Sequence, residues 1–252
     1  MWHGDYVFVI SNLVMKDFKV RYRNMSLGVL WSLLNPLVMM GVLTFIFTQI
    51  FPNPSIKNFP LFVLCGLVPF NFFTISWVTA TTSLIDNGTI VKRVSVPSQV
   101  FPIAAVFSTC IHLSVQIALL LGLVIALGKG VNVYWLWLPV VWGLEIVFVC
   151  GLGLMFSALN VYVRDMRYVV ESCNMILFWL VPIFYYSVPE RFYSIYQYNP
   201  VAALVLASRN ILLDGKAPSN TLLYKLTIVS FVAIALGTGV FNKMKDRFYD
   251  HL

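Results

Sequence analysis

His112 and Glu145 are the two ionisable side chains set deep inside otherwise uncharged stretches of this sequence. A lone charge near the middle of a bilayer costs at least about 2.5 to 3.5 kcal/mol, so a group kept there is a candidate for function. Ser108, His112 and Gln116 also recur at one-turn spacing and give one helix a polar stripe. Three uses follow for the intramembrane polar pair His112 and Glu145: a hydrogen bond between neighbouring helices, a hydrophilic pore wall, or a proton relay. A single acid and a single histidine make a sparse relay, so the helix-to-helix bond is the favoured expectation.

Other chemistry is excluded by pattern. No GxxxxGK[ST] occurs, and Leu127-Gly128-Lys129-Gly130 lacks both the leading glycine spacing and the hydroxyl residue, so the chain is not expected to hydrolyse ATP by itself. There is no HExxH and no GxSxG, and three histidines, His3, His112 and His251, fall short of the four axial ligands two membrane hemes need. Cys65, Cys110, Cys150 and Cys173 lie in apolar surroundings without CxxC spacing and read as small core residues. No catalytic residue, metal site or cofactor bound by this chain is expected.

What must position the polar groups is set by composition. Of 252 residues, 60% are hydrophobic and 11% charged, against about 25% charged in a soluble domain. No Asp, Glu, Lys or Arg occurs over 24–56, 58–85, 94–128, 172–189 or 226–242, and 133–160 contains only Glu145. A helix crossing about 30 Å of hydrocarbon needs about 20 residues, so each stretch is long enough. The expectation is an all-α polytopic membrane protein with transmembrane helices at about 30–51, 60–84, 100–127, 134–159, 170–188 and 222–242, and no separate soluble domain.

The net charge of +7 would suggest nucleic acid in a soluble protein, but here the basic residues flank the spans. Eleven of the seventeen lie in the N-terminal segment, the second and fourth loops and the tail, which puts both termini in the cytoplasm. Nucleic-acid binding is not expected. Within 1–24, Val7, Ile10, Val14 and Phe18 fall on one arc opposite Asn12, Lys16, Lys19 and Arg23, the pattern of an amphipathic helix lying against membrane lipids. Small residues four apart, Ala104 with Ser108, Gly153 with Ser157, Ala233 with Gly237 and Ala235 with Gly239, permit close helix contact.

Residues 178 to 198 hold nine aromatics in 21 positions, where composition predicts about three, and Pro182, Pro189 and Pro200 break any continuous helix. Two readings stay open: an interfacial aromatic belt, or rings that face a passage. A passage edged by rings, hydroxyls and amides suits a sugar polymer, which offers hydroxyls and flat C–H faces. The second span adds Asn71, Thr74, Ser76, Thr79, Thr81, Thr82 and Ser83 beside Phe70, Phe72, Phe73 and Trp77. Hydrogen bonding between helices explains those polar residues equally well.

The segment KDFKVRYRNMSLGVLWSLLNPLVMMGVLTFIF, 16–47, resembles the opening of bacterial ABC-2 type exporter permeases of the branch that moves O-antigen, capsular polysaccharide and teichoic acid. NGTIVKRVSVPSQVFPIA at 87–104 is similar to that family's first cytoplasmic loop and following span, and ALNVYVRDMRYVV at 158–170 to its fourth-span exit with an Arg-Asp pair. PIFYYSVPERFYSIYQYNPVAALVLASRNILLDG at 182–215 resembles its late segment with an Asn-Pro and a following Arg.

The resemblance implies a homodimer of six-span subunits around a channel in the bacterial inner membrane. It implies two copies of a separate ABC ATPase subunit carrying ATP and Mg, a lipid-linked polysaccharide as substrate, and reentrant helices at about 189–220 on the outer side. Coupling to the ATPase subunit is carried over to Asp86, Asn87, Gly88, Thr89, Ile90, Val91, Lys92 and Arg93, with Arg164 and Asp165 as further cytoplasmic contacts. The residues expected at the channel or outer gate are Trp77, Tyr185, Tyr193, Tyr196 and Tyr198, together with Asn199 and Arg209. The competing expectations are an ABC-2 exporter of small hydrophobic compounds, whose pore would be more aliphatic, and a membrane-embedded transferase, for which Asp86, Asp165 and Glu171 are the candidate inner acids.

Overall fold

Backbone polar groups removed from water must be satisfied within their own segment, and the charge-free stretches accordingly fold as helices. The computed structural model describes residues 5–23, 28–51, 56, 58–93, 96–185 and 198–248, with the backbone alone at 29 and 247. Among these residues the order is α1 (Tyr6–Tyr22), α2 (Trp31–Phe45, widening into a π turn at Ile46–Ile50), α3 (Phe59–Asp86), α4 (Gly88–Arg93), α5 (Val100–Ala126), α6 (Leu138–Tyr162, preceded by a 3₁₀ turn at Val133–Trp137), α7 (Met166–Leu180), α8 (Pro200–Leu212) and α9 (Asn220–Met244).

Five stretches are long and apolar enough to cross a membrane: Trp31–Ile50, Phe59–Asp86, Val100–Ala126, Val133–Tyr162 and Asn220–Met244. The fifth expected span, 170–188, differs. There α7 has 15 residues, about 22 Å of helix at 1.5 Å per residue, and ends at Leu180. The cause is Pro182, which disfavours a helical residue before it; Val181 is extended, with φ −94° and ψ 138°. Of the loop expected at 189–220, residues 198–220 are described and contain the apolar helix α8, packed on α3, α6 and α9; 189–197 lie outside the described residues.

α3 is the axis of the bundle. It packs against α2, α5, α6, α7 and α8, whereas α2 buries only Pro36 and Leu43. α9 lies along α6 so closely that a Cβ on Gly237 would sit 2.1 Å from the Gly151 carbonyl oxygen, and a Cβ on Gly151 would sit 2.3 Å from the Ala233 carbonyl carbon. Of the expected small-residue pairs, Ala233 with Gly237 thus forms a real crossing, and Gly153 makes a second, with a Cβ placed 2.6 Å from that of Ala80. Gly239 faces open space, because its pair points away from α6.

A second apolar cluster forms at the expected cytoplasmic end. Leu13 of α1, Leu84 of α3, Val91 of α4, Val100, Phe101 and Ala104 of α5, Leu154, Ala158 and Val161 of α6, Phe241 of α9 and Phe248 pack together. This cluster keeps Ile10 and Val14 of the expected arc of the first helix and departs from it at one end. Leu13 is buried, Val9, Ile10 and Val14 pack beside it, and Val7 is 76% exposed. The buried face is the one that meets α5, and α1 runs along α5 until Tyr22 reaches His112.

Candidate functional site

The carried-over coupling residues surround the junction of α3 and α4, and Asn87 builds it. Its backbone N–H donates to Ser83 O at 3.2 Å and its Nδ2 to the same oxygen at 2.8 Å. Its own carbonyl accepts the N–H of Ile90 and Val91 at 2.9 and 3.0 Å, so one residue closes α3 and starts α4. Lys16 Nζ donates to Asn87 Oδ1, which ties α1 to the same corner. Val91 is buried and Ile90 packs beside it, while Asp86, Thr89, Lys92 and Arg93 are exposed and Gly88 is half-buried. A six-residue helix thus rests on apolar side chains and presents charge outward.

Arg164 and Asp165 are exposed at the turn into α7, where Asp165 O accepts the N–H of Tyr168 at 3.0 Å and of Val169 at 3.2 Å. Arg167, which the sequence reading did not select, pairs with Glu171 one turn along the exposed face of α7. Its pKa is raised mainly by its hydrogen bond and charge interaction with Glu171, Nε to Oε1 2.8 Å, and more weakly by Tyr168 and Asp86. Its signal was the i, i+4 spacing with Glu171.

Replacing Asn87 by Ala removes the Lys16 contact and the cap of α3 together. The expected cost is about 1 kcal/mol of stability, the usual net worth of an intramolecular hydrogen bond. A thermal melt of the purified chain measures it, and an unchanged midpoint would contradict this role.

At the other end, the expected gate residues divide. Asn199 is the cap of α8, accepting from Val201 N at 3.0 Å and Ala202 N at 3.4 Å, and Pro200 occupies the first turn, where no N–H is missed. Tyr198 is 78% exposed, with Lys225 Nζ 5.6 Å from its ring centroid. Tyr185 donates from Oη to Trp179 O at 2.9 Å. Tyr193 and Tyr196 lie outside the described residues.

Arg209 is buried, at 5% exposure. Its Nε and Nη2 donate to Phe62 O at 3.3 and 3.2 Å, its Nη2 donates to Ile183 O at 2.6 Å, and its Cζ stands 3.5 Å from the Phe62 ring centroid. It is a clamp joining α8, α3 and the segment after α7, and not an exposed gate residue. Lys129 Nζ to Leu213 O at 2.6 Å and Asn132 Nδ2 to Ile211 O at 3.2 Å close the other end of α8; neither was selected from sequence.

The described part of the aromatic stretch has a role beyond the two readings left open. Phe184, 8% exposed, stacks on Phe47 of α2 with centroids 5.1 Å apart and meets Phe178, Trp179 and Tyr185 within 5.9 Å. These rings pack the segment after α7 onto α2 and α3.

Trp77 departs from expectation. It is 6% exposed, edge-on to Phe156 at 5.1 Å and beside Phe73 at 5.4 Å, because α3 is enclosed on most sides. It faces the interior of this subunit. The hydroxyls near it are spent within the bundle: Thr81 donates to Trp77 O at 2.7 Å, Ser83 to Ala80 O at 2.7 Å, and Ser76 pairs with Thr109 at 2.5 Å.

His112 and Glu145 do not meet. Tyr22 Oη lies 2.5 Å from His112 Nδ1, so the histidine's partner comes from α1. Glu145 is fully buried, and neither carboxylate oxygen has a hydrogen-bond partner among the described residues. The reason is rotational: the face of α5 that carries His112 is covered by α1, while Glu145 sits on α6 across a different face. Tyr22 escaped sequence reading because nothing in local spacing links positions 90 apart. Burial raises the pKa of the Tyr22 hydroxyl, with Arg21 and a hydrogen bond to Ser32 opposing it, so the phenol stays neutral and able to donate.

Five helices long and apolar enough to cross a membrane, joined at one end by a short, charge-presenting helix, are the layout of a multi-pass membrane protein. The chain belongs to the ABC-2 type transporter family, whose model matches residues 9–213. It is 33% identical over 251 residues to the O-antigen export system permease protein RfbA of Klebsiella pneumoniae, covering 98% of this chain and 95% of that one. It is 27% identical to the protein of the same name from Myxococcus xanthus, over 98% and 96% of the two chains. It is 26% identical to the polysialic acid transport protein KpsM of Escherichia coli, over 94% and 93%.

Proposed function

We propose that this chain is the membrane subunit of an ATP-driven exporter that carries a lipid-linked polysaccharide, O-antigen in the first instance, across the bacterial inner membrane. The observation that carries this reading is the end-to-end similarity to permeases named for O-antigen export, at 98% coverage of this chain. Those names favour it over export of small hydrophobic compounds and over a transferase. The chain works as a homodimer around the translocation path, with both termini in the cytoplasm and two copies of an ATPase subunit that bind ATP and Mg. This chain binds no cofactor.

The coupling residues, 86–93 with Arg164 and Asp165, receive the ATPase subunit. Lys92 and Arg93 offer exposed cations at its docking face, and Val91 sits in the apolar cluster that also holds α1, α5, α6 and α9. Because packed interiors yield little to compression, a displacement of α4 moves those helix ends together. At the outer end, the Arg209 clamp positions the segment that carries Tyr185, and the polymer meets Tyr198 and Asn199 there; a gating role is proposed for Tyr193 and Tyr196 from the resemblance alone.

Deleting the chain from a strain that makes surface polymer is expected to abolish that polymer at the surface while lipid-linked polymer accumulates inside. The purified chain is expected to show no ATP hydrolysis until its P-loop partner is added. Parental surface polymer in the deletion strain, or nucleotide turnover by the isolated chain, would overturn the reading.

A further inference from the structure

A cleft of about 210 Å³ opens between the end of α1, the start of α2 and the middle of α3 and α5. It is smaller than the roughly 300 Å³ at which sites for drug-sized ligands begin, so it suits a single ring. Asn71 stands 12 residues from the start of α3 and 15 from its end, which places the cleft along the bundle and away from either mouth.

Its polar groups are held ready. Pro36 has no N–H to give the carbonyl of Ser32 one turn earlier, and Gln116 Nε2 fills that vacancy at 3.0 Å. The amide is thereby fixed, and its Oε1, on a residue 3% exposed, has no hydrogen-bond partner among the described residues. A buried acceptor without a donor is destabilising, and a hydroxyl from a ligand would remove that cost. Asn35, exposed, and Asn71, half-buried, also line the cleft, and their side chains make no hydrogen bond among the described residues. Trp31, 52% exposed, offers its ring beside them, and Ile75 adds an apolar surface. No carboxylate borders the cleft and Arg21 is its one full-time cation. Three neutral amides beside an indole match a ligand with hydroxyls and C–H faces better than a cation or a phosphate.

We propose that this cleft is a subsite for one sugar residue of the transported polymer, with Asn35, Asn71 and Gln116 bonding its hydroxyls and Trp31 packing on its ring face. The proposal rests on the polysaccharide reading above. The same side chains make it a point of selection: a residue that cannot donate to Gln116 Oε1 leaves that oxygen unpaired, so the site discriminates by hydroxyl pattern.

The test uses the complete exporter in producing cells, with a photoreactive benzoylphenylalanine at Ile75, or at Phe231 on the outward face of α9 as the comparison. The probe is the strain's own polymer, detected with antiserum. Illumination is expected to give an adduct containing both chain and carbohydrate at Ile75, absent at Phe231 and absent when polymer synthesis is blocked. Asn71→Leu combined with Gln116→Leu is expected to lower that adduct about tenfold, the effect of losing two neutral hydrogen bonds, and Asn71→Gln to retain most of it. Arg21→Gln is expected to change it little. Equal adducts at both positions, an adduct with phospholipid alone, or a signal lost through Arg21→Gln and kept in the double Leu variant would overturn the subsite in cells whose surface polymer is normal. If the intact chain does not restore surface polymer to a deletion strain, the polysaccharide reading falls and this inference with it.

Discussion

Gly151→Leu is expected to prevent α6 and α9 from closing and so to leave little folded protein in the membrane. The two helices meet backbone to backbone, and a Cβ at Gly151 would stand 2.3 Å from Ala233 C and 2.5 Å from Ile234 N. Backbone atoms cannot rotate away as a flexible side chain would, so the helices must separate along their length. Lost contact at the neighbouring Gly237 crossing adds to the damage. Overpacking a tight site costs about 1 to 3 kcal/mol and occasionally more, and a leucine at this crossing belongs at the upper end. Gly151→Ala, adding one methyl, is expected to give a smaller loss of the same sign. Gly239→Ala is the control, because nothing lies within 4 Å of its Cβ position, and the change removes a flexible residue from a helix. Thermal unfolding in detergent, with membrane yield alongside, measures all three. A Gly151→Leu protein that melts with the parent would show that α6 and α9 do not pack this way.

Arg209→Ala is expected to release the end of the bundle opposite α4. The side chain is 5% exposed and serves two backbone carbonyls, Phe62 O on α3 and Ile183 O beyond α7. Truncation leaves those oxygens without this donor and opens space beside Gly66, whose Cβ position lies 3.1 Å from Nη2. Phe62 O keeps its helical donor, but a hydrogen bond from a charged donor is itself worth about 1.5 to 3 kcal/mol, and Ile183 O loses its side-chain partner. The stacking of the guanidinium over Phe62 is lost as well, worth about 0.5 to 2 kcal/mol. Lysine keeps the charge but has no planar fork to reach both carbonyls, so Arg209→Lys is expected to recover only part of the loss. Two measurements separate clamp from gate. A clamp predicts a lower unfolding midpoint and faster proteolysis near 181–185 in the purified chain, with no substrate present. A residue needed only for passage of polymer would leave both unchanged.

The lengths of the uncharged stretches made five long helices readable, because lipid demands a fixed run of apolar residues whatever those helices pack against. α7 shows the limit of that rule: 172–189 is equally free of charge, but Pro182 ends the helix at Leu180. Basic residues at the flanks and the exposed end of α4 were legible for the same local reason, since charge stays near water. The arc of α1 was less so. Its pattern put Val7 on the arc with Ile10, Val14 and Phe18; Ile10 and Val14 pack inward, but Val7 is exposed and Leu13, off that arc, is the residue buried against the cluster.

The partners of individual side chains were not legible at all. Sequence determined that His112 and Glu145 are deep, polar and costly, since that depends only on composition around them. Tertiary structure decided that His112 meets Tyr22 and that the Glu145 carboxylate makes no hydrogen bond among the described residues, because helix rotation is set by packing over whole faces, such as Gly151 against Ala233 and Gly237, and not by one pair. In the same way Arg209 is a lone cation in an apolar run when read along the chain. It becomes a clamp only when three segments bring two carbonyls within 3.3 Å of one guanidinium, a convergence that no local spacing encodes.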